Sequence, residues 1–400
     1  MQHFRGLPLG GSTQPSLLPL VATLALYGAC ASATGTVDTG EANQGGQPAG
    51  GMIRTGGSPS QGGAIATGGA SQTGGSRART GGVTTGGRVT GGGKARTGGQ
   101  ANTGGTPSNG GTGTCSTSPT TQAITSDLEL PPGPNYAVAS FRLWYPKGVD
   151  QVKGILVLLP GSNADGRSDV NASRWQTFAT AEKLALLGCF FQDSNQKVSD
   201  ELYAQAALGS GQALVDAITT LSTKTDRCEL ANAPLLLWGF SAGGQFAYDF
   251  ACFAPERVIA FVVNKGGYYH PVPPTPEAMR IPALMFIGGK DLQRRIDAID
   301  TLYSLGRAEN APWALTVERT RAHEPGDSVS LAQPYFHAIL PQRLSGTIPL
   351  PGIDQSEGYI GDLDTRAIEP ASATPPDDPA RTAWLPDKAT ATLWQTIVKK

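Results

Sequence analysis

One segment constrains this chain more than any other. Leu235-Leu236-Leu237-Trp238 is an apolar run that ends in Gly239-Phe240-Ser241-Ala242-Gly243-Gly244, and a helix-capable stretch (245–253) follows at once. Apolar strand, Gly-x-Ser-x-Gly turn and helix in that order place Ser241 on a sharp turn with its Oγ clear of the sheet. The flanking glycines let strand and helix pass closely. In a chain with 53 glycines the short pattern alone carries little weight. Its setting between an apolar strand and a helix is what makes Ser241 a candidate nucleophile.

The rest of 115–400 reads as strands alternating with helices. Strands are expected at 136–145, 154–159, 188–192, 235–239, 258–264, 283–287 and 313–317. Helices are expected at 175–187, 211–221, 293–307 and 328–344, with a last one opening at Pro386-Asp387 and containing Trp394. Residues 154–159 are apolar almost throughout, as in a strand buried on both faces. The alternation predicts an α/β fold with a mostly parallel central sheet and helices on both faces. The 16 residues 265–280 hold six prolines and glycines, so they read as a loop and no large cap is expected. The Pro- and Asp-rich tail before the last helix is assigned to packing over the domain surface.

A serine hydroxyl is nearly inert at neutral pH and needs a base, normally an imidazole oriented by a carboxylate. In a parallel sheet such groups gather at the carboxyl ends of strands. Asp291 lies on the turn after 283–287, and His323 lies in the loop after 313–317. Asp297 and Asp300 fall within the next helix and read as solvated. Of four histidines, His3 is in the N-terminal leader and His337 in a helix beside Tyr335 and Phe336. His270 follows a strand but precedes Asp291, so it reads as a wall of the cleft and not as the base. The oxyanion donors expected for acyl transfer are the amide of Ala242 and the loop Gly161-Ser162-Asn163, where Gly161 allows the backbone to turn toward the serine. Asn163, Phe240, Tyr268, Tyr269 and His270 are the candidate cleft residues.

With Leu159-Pro160-Gly161-Ser162-Asn163, a later Trp175, 239–244, Gly288-Gly289-Lys290-Asp291 and a downstream histidine, the chain resembles the α/β-hydrolase superfamily over roughly 140–344. Within it, the chain looks most like the secreted esterases that include polyhydroxybutyrate depolymerases and feruloyl esterases. It departs from that branch in having Pro160 where a histidine commonly precedes the glycine. His323 is followed by Glu324-Pro325 and lacks the usual preceding glycine. The resemblance implies the α/β-hydrolase fold, the order Ser241, Asp291, His323 for the triad, and hydrolysis of carboxylic esters through an acyl-enzyme. It implies no cofactor and no metal. The triad does not specify the acceptor, so a peptidase or an acyltransferase uses the same residues, and a surface-tethered binding domain with a vestigial site is the non-enzymatic alternative. With little over the turn to close it, the cleft suits a polymeric or bulky aromatic ester.

The N-terminal third has another character. Arg5 precedes an apolar run, 17–26, too short to span a bilayer as a helix, which reads with the small residues after it as an export signal, 1–33. Cys30 is the expected lipidation point of a lipoprotein signal, although Tyr27 stands where an aliphatic residue is usual; Ala31-x-Ala33 suits ordinary signal peptidase. The product is then a cell-surface or periplasmic lipoprotein, or a freely secreted protein. Residues 34–114 repeat Thr-Gly-Gly eight times at spacings of five to twelve residues. Irregular period and missing apolar positions argue against a solenoid and for a disordered linker, with a span of roughly 50 Å. This leaves 115–400 as the catalytic domain. The linker carries a charge of +4 and Arg5 adds one, so 115–400 holds −6 of the chain's net −1. That excludes the basic footprint of a nucleic-acid binder; a monomer touching membrane only through its anchor is expected. Four cysteines remain for up to two disulfides. Cys228, before the nucleophile strand, and Cys252, late in the following helix, are expected to pair, leaving Cys115 with Cys189.

Because 34–114 buries nothing, its deletion is expected to leave both the melting temperature and the turnover of a soluble ester unchanged. Calorimetry and steady-state rates on the shortened chain check this; a large loss of stability would mean that the segment docks on the domain.

Overall fold

The computed structural model describes residues 115–194, 201–344, 349–373 and 378–400. The expected export signal, Cys30 and the 34–114 linker lie outside the described residues. Strands β1 (Ile124–Leu130), β2 (Val138–Tyr145), β3 (Gly154–Leu159), β4 (Leu184–Gln192), β5 (Leu235–Phe240), β6 (Val258–Asn264), β7 (Ala283–Gly288) and β8 (Trp313–Glu318) form one sheet in the order β1-β2-β4-β3-β5-β6-β7-β8. β2 is antiparallel to both its neighbours, and every other pairing is parallel. Helices α1 (Ser173–Glu182), α2 (Ser210–Lys224), α3 (Ala242–Phe253), α4 (Gln293–Ala308), α5 (Ser328–Arg343) and α6 (Lys388–Val398) cover it. This strand order with helices on both faces is the α/β-hydrolase fold.

Side chains alternate across a strand, so each central strand feeds two cores. In β5, Leu235 and Leu237 join Phe246 and Phe250 of α3 on one face, together with residues of α2 and α4. Leu236 and Trp238 join α1, α5 and α6 on the other, where the Trp238 ring meets Trp175 edge-on at 5.7 Å. The continuous apolar runs of β3, β5, β6 and β7 follow from this burial on both faces. Between β6 and β7 the described chain contains only a 3-10 turn, Ala278–Arg280, and no helical cap.

The structure corrects three readings. The spacing predicts a helix over 175–187, but α1 stops at Glu182 because Lys183 is left-handed (φ 56°) and its N–H caps the last turn. Leu184 to Leu187 then pair in parallel with Gly154 to Val157. A strand buried on both faces shows the same run of leucines as the buried side of a helix, so pairing decided the matter. The tail is no surface wrapping. It forms a three-stranded antiparallel sheet from β9 (Tyr359–Asp362), β10 (Ile368–Pro370) and β11 (Thr382–Leu385). Trp384 and Trp394 are fully buried, and Trp394 donates its indole N–H to the Leu315 carbonyl at 2.7 Å.

The third correction concerns the cysteines. Cys228 pairs with Cys115, with Cα atoms 5.8 Å apart, and not with Cys252; Cys189 is a buried free thiol and so is not joined to Cys115. The cause is the path of 115–120. Arg227 donates to the carbonyls of Ser118 (2.9 Å) and Ser116 (3.4 Å), and the Thr120 hydroxyl donates to the Pro146 carbonyl (2.7 Å). These bonds lay the start of the domain beside residue 228. The Cys252 thiol instead lies by Tyr248 and Thr275. Peptide mapping without reductant is expected to recover 115 joined to 228. Because the bridge spans 113 residues, Cys228→Ser is expected to lower the unfolding free energy by about 2–4 kcal/mol, read from denaturant midpoints.

Candidate active site

Ser241 is the residue between β5 and α3, at φ 54° and ψ −123°, a strained conformation for a residue with a side chain. Close approach enforces it. A Cβ on Gly239 would lie 2.0 Å from the Gly243 carbonyl oxygen, and one on Gly243 would lie 2.2 Å from that of Leu159. Only glycine at both positions lets α3 start directly over β5 and β3. The Ser241 N–H is held by the Asn264 carbonyl at 2.8 Å, and its own carbonyl accepts from Gly244 and Gln245 in the first turn of α3.

The loops after β7 and β8 bring the other two groups to this turn. His323 Nε2 is 2.9 Å from Ser241 Oγ, and Nδ1 is 2.7 Å from Asp291 Oδ2. An ionised carboxylate only accepts, so Nδ1 carries the proton and Nε2 is left as acceptor for the hydroxyl. Asp291 is nearly buried and receives two further hydrogen bonds at Oδ1, from the Leu292 N–H (2.7 Å) and Arg295 (3.1 Å). Burial pushes its carboxyl up, but the bonds from His323, Leu292 and Arg295 outweigh it and hold the group below the usual carboxylate range. Phe240 packs its ring against the imidazole at 5.2 Å. Asp297 and Asp300 are exposed on α4, and His337 is exposed on α5, paired with Glu182 at 2.7 Å.

The remaining predicted residues divide. Ala242 is the first residue of α3, so its N–H has no partner within the helix. Gly161 lies against the serine; a Cβ there would be 3.7 Å from that of Ser241. Ser162 follows it, exposed at the end of β3. Asn163 is committed elsewhere. It sits at φ 52°, donates its N–H to the Tyr203 hydroxyl (3.1 Å), and accepts the Asp193 N–H on its side chain (2.8 Å). With its N–H and Oδ1 so committed it braces the loop against the end of β4, and its side-chain amide donates to Ser162 Oγ at 3.2 Å. Tyr269 is buried with its ring edge-on to Tyr248 at 5.5 Å, so it belongs to the core and not to the cleft. Tyr268 is exposed, with the Arg294 guanidinium over its ring at 5.5 Å, and His270 is exposed beside it.

Sequence reasoning passed over Gln245. Its Oε1 accepts the Gly267 and Tyr268 N–H groups (2.8 and 3.1 Å), and its Nε2 donates to Glu201 at 2.7 Å. One turn of helix from Ser241, it ties the loop after β6 to α3 and lines a cavity of about 300 Å³ with Glu201, Gln205, Asp249, Tyr268 and His270. A buried glutamine in a helix after the serine was the available signal. A larger cavity of about 680 Å³ opens among Lys153, Asn232, Pro234 and Leu344, at the opposite ends of the strands and remote from Ser241. Among the described residues no cluster of His, Cys, Asp and Glu is placed to hold a metal ion.

No family model matches the sequence, and no curated protein matches it. Solved structures overlap it in part. Esterase PE8 is 17% identical over 55% of this chain and 100% of its own, with a TM-score of 0.39. Poly(aspartic acid) hydrolase-1 from Sphingomonas sp. KT-1 is 15% identical over 53% and 98%, at 0.41. A ferulic acid esterase is 11% identical over 53% and 96%, at 0.42. Likenesses at this level carry no information about the reaction.

Asp249 gives a pH dependence whose sign is fixed. Burial lifts its carboxyl to about 8, against a long hydrogen bond from the His270 N–H at 3.4 Å. The unfolded chain releases this proton near pH ~4 while the folded chain keeps it, so stability is full below that value and falls as pH rises toward 8. Asp249→Asn removes the dependence. Its melting temperature relative to the parent is expected to rise more at pH 8 than at pH 5, measured by calorimetry in matched buffers.

Proposed function

We propose that this chain is a serine hydrolase that cleaves carboxylic esters through an acyl-enzyme. The observation that carries the reading is the unbroken hydrogen-bond chain Asp291–His323–Ser241, at 2.7 and 2.9 Å, ending on a serine strained at the start of a helix. Ser241 Oγ attacks the carbonyl carbon while its proton passes to His323 Nε2. Asp291 holds the Nδ1 proton and stabilises the imidazolium that forms. The electron pair of the C=O bond moves onto oxygen, where the Ala242 N–H and the donors of the Gly161-Ser162 turn face the new charge. Collapse breaks the C–O bond to the alcohol, which takes the proton from Nε2. Water then gives a proton to the same nitrogen as its oxygen bonds the acyl carbon, and collapse breaks the bond to Ser241 Oγ, which takes the proton back from Nε2 as the acid leaves.

What stands beside the serine supports one class of substrate. Only a short loop separates β6 from β7, and Tyr268 and His270 are exposed on it, so one flank of the cleft is open. An open flank favours a polymeric or bulky aromatic ester over a small one that needs enclosure. The Cys115–Cys228 bridge supports the export expected from the N-terminal residues, because disulfides persist in oxidising compartments.

Ser241→Ala and His323→Ala are each expected to lower kcat on p-nitrophenyl esters by on the order of 10⁶. Asp291→Asn is expected to cost about 10⁴, and His270→Ala to stay within about 3-fold, since among the described residues its one hydrogen bond runs from its N–H to Asp249. A fluorophosphonate probe should label the parent and not Ser241→Ala. A graded ester series beside a peptide amide, a polyester film and a feruloylated polysaccharide reads the acceptor and the size preference. Faster cleavage of the amide would make the protein a peptidase, and rapid turnover of short soluble esters with both polymers untouched would remove the bulky-substrate reading.

A further inference from the structure

Asn264 and Lys265, at the end of β6, carry none of the expected chemistry, yet they touch all three loops that do. The Asn264 carbonyl accepts the Ser241 N–H, and its side-chain amide donates to the Pro325 carbonyl (3.0 Å) and to Ser328 Oγ (2.8 Å). Lys265 follows in the left-handed conformation, φ 57°. Its ammonium donates to the Glu318 carboxylate and to the Glu324 carbonyl at 2.7 Å, and reaches Asn264 Oδ1 at 3.4 Å. Glu318, the last residue of β8, accepts the Asp327 N–H on its other oxygen at 2.6 Å. The carbonyls of residues 324 and 325 and the amide of 327, just past His323, are therefore pinned to one buried group. The end of β7, from which the Asp291 loop leaves, packs on the same group; a Cβ on Gly288 would meet Lys265 Cε at 3.0 Å and the Ala322 carbonyl at 2.2 Å.

The side chains of Lys265 and Glu318 are 0% and 2% exposed. A buried ion pair gains little over apolar packing, so stability alone does not explain its presence here. The ammonium spends its three donors on groups that flank the catalytic loops, which an apolar side chain cannot do. A His323 loop released from this anchor would lose the two short distances on which proton transfer depends, and a shift of about 1 Å at such a site costs on the order of 10²-fold in rate.

We propose that Lys265 is a positioning residue: by anchoring residues 324–327 through Glu318 and the Glu324 carbonyl, it holds His323 between Ser241 and Asp291. The role rests on the serine hydrolase reading above. The test measures p-nitrophenyl acetate kinetics and the rate of fluorophosphonate labelling, at a temperature where melting curves show parent and variants fully folded. Lys265→Met is expected to lower kcat and the labelling rate by about 10²-fold with KM within about 2-fold of the parent. Glu318→Gln keeps the volume and the acceptor for Asp327 while removing the charge, and is expected to lower both rates by about 10-fold. A pair that only stabilises the fold would lower the melting temperature and leave kcat unchanged, and parental rates in the folded variants overturn the proposal. Should Lys265→Met fail to fold, Glu318→Gln decides alone. A parent that neither hydrolyses the ester nor labels in a Ser241-dependent way overturns the hydrolase reading and this role with it.

Discussion

The steric contact at the β5–α3 turn sets the terms for everything else in the site. With carbonyl oxygens only 2.0 and 2.2 Å from where a Cβ would stand on Gly239 and Gly243, the helix can begin nowhere but directly above the strands. That start fixes three things together. It forces Ser241 to a positive φ, leaves the Ala242 N–H unpaired within the helix, and brings the turn after β3 within contact of the serine. The strain at Ser241 persists because the Asn264 carbonyl and the first turn of α3 hold its backbone from both sides.

The imidazole that meets Ser241 at this turn comes from 82 residues away in sequence. The end of β6 makes the connection. Asn264 bonds the serine backbone on one side and the His323 loop on the other, while Lys265 and Glu318 bury their charges to fasten the same loop. Irregular loops expose backbone groups that need partners; here those partners are side chains at the ends of strands, whose positions the sheet already determines. The imidazole therefore inherits the rigidity of the sheet, although it sits on a loop.

The side chains on the loops near Ser241 divide between exposed ones and ones bound into the fold. Tyr268 and His270 are exposed, whereas Tyr269, between them, is core. Asn163 and Gln245 look suited to bind a substrate but spend their hydrogen bonds on the chain itself, one fixing the end of β4 and the other the loop after β6. The Cys115–Cys228 bridge precedes β5, at the end of the sheet away from Ser241, and the tail's two buried tryptophans pack on one face of the sheet, where Trp394 bonds the Leu315 carbonyl.

Local pattern was enough for much of this. The apolar runs of β3, β5, β6 and β7, the helices between them, the serine at its turn, and an aspartate and a histidine after later strands all depend on residues close in sequence, where periodicity and turn chemistry act directly. The three side chains that the structure joins by hydrogen bonds are those found by looking after each strand end. What local pattern left open were contacts between distant segments. Leu184-Ala185-Leu186-Leu187 suits a helix or a strand until Gly154 to Val157 lie beside it. Cys228 had three possible partners until Arg227 drew 115–120 to its side. Tyr269 read as a cleft residue until Tyr248 met it from another element. The Lys265–Glu318 pair joins two strand ends 53 residues apart, each unremarkable alone. Backbone preference and apolar spacing are properties of neighbours in the chain; disulfides, buried charges and side-chain burial are properties of neighbours in space, and only folding brings those together.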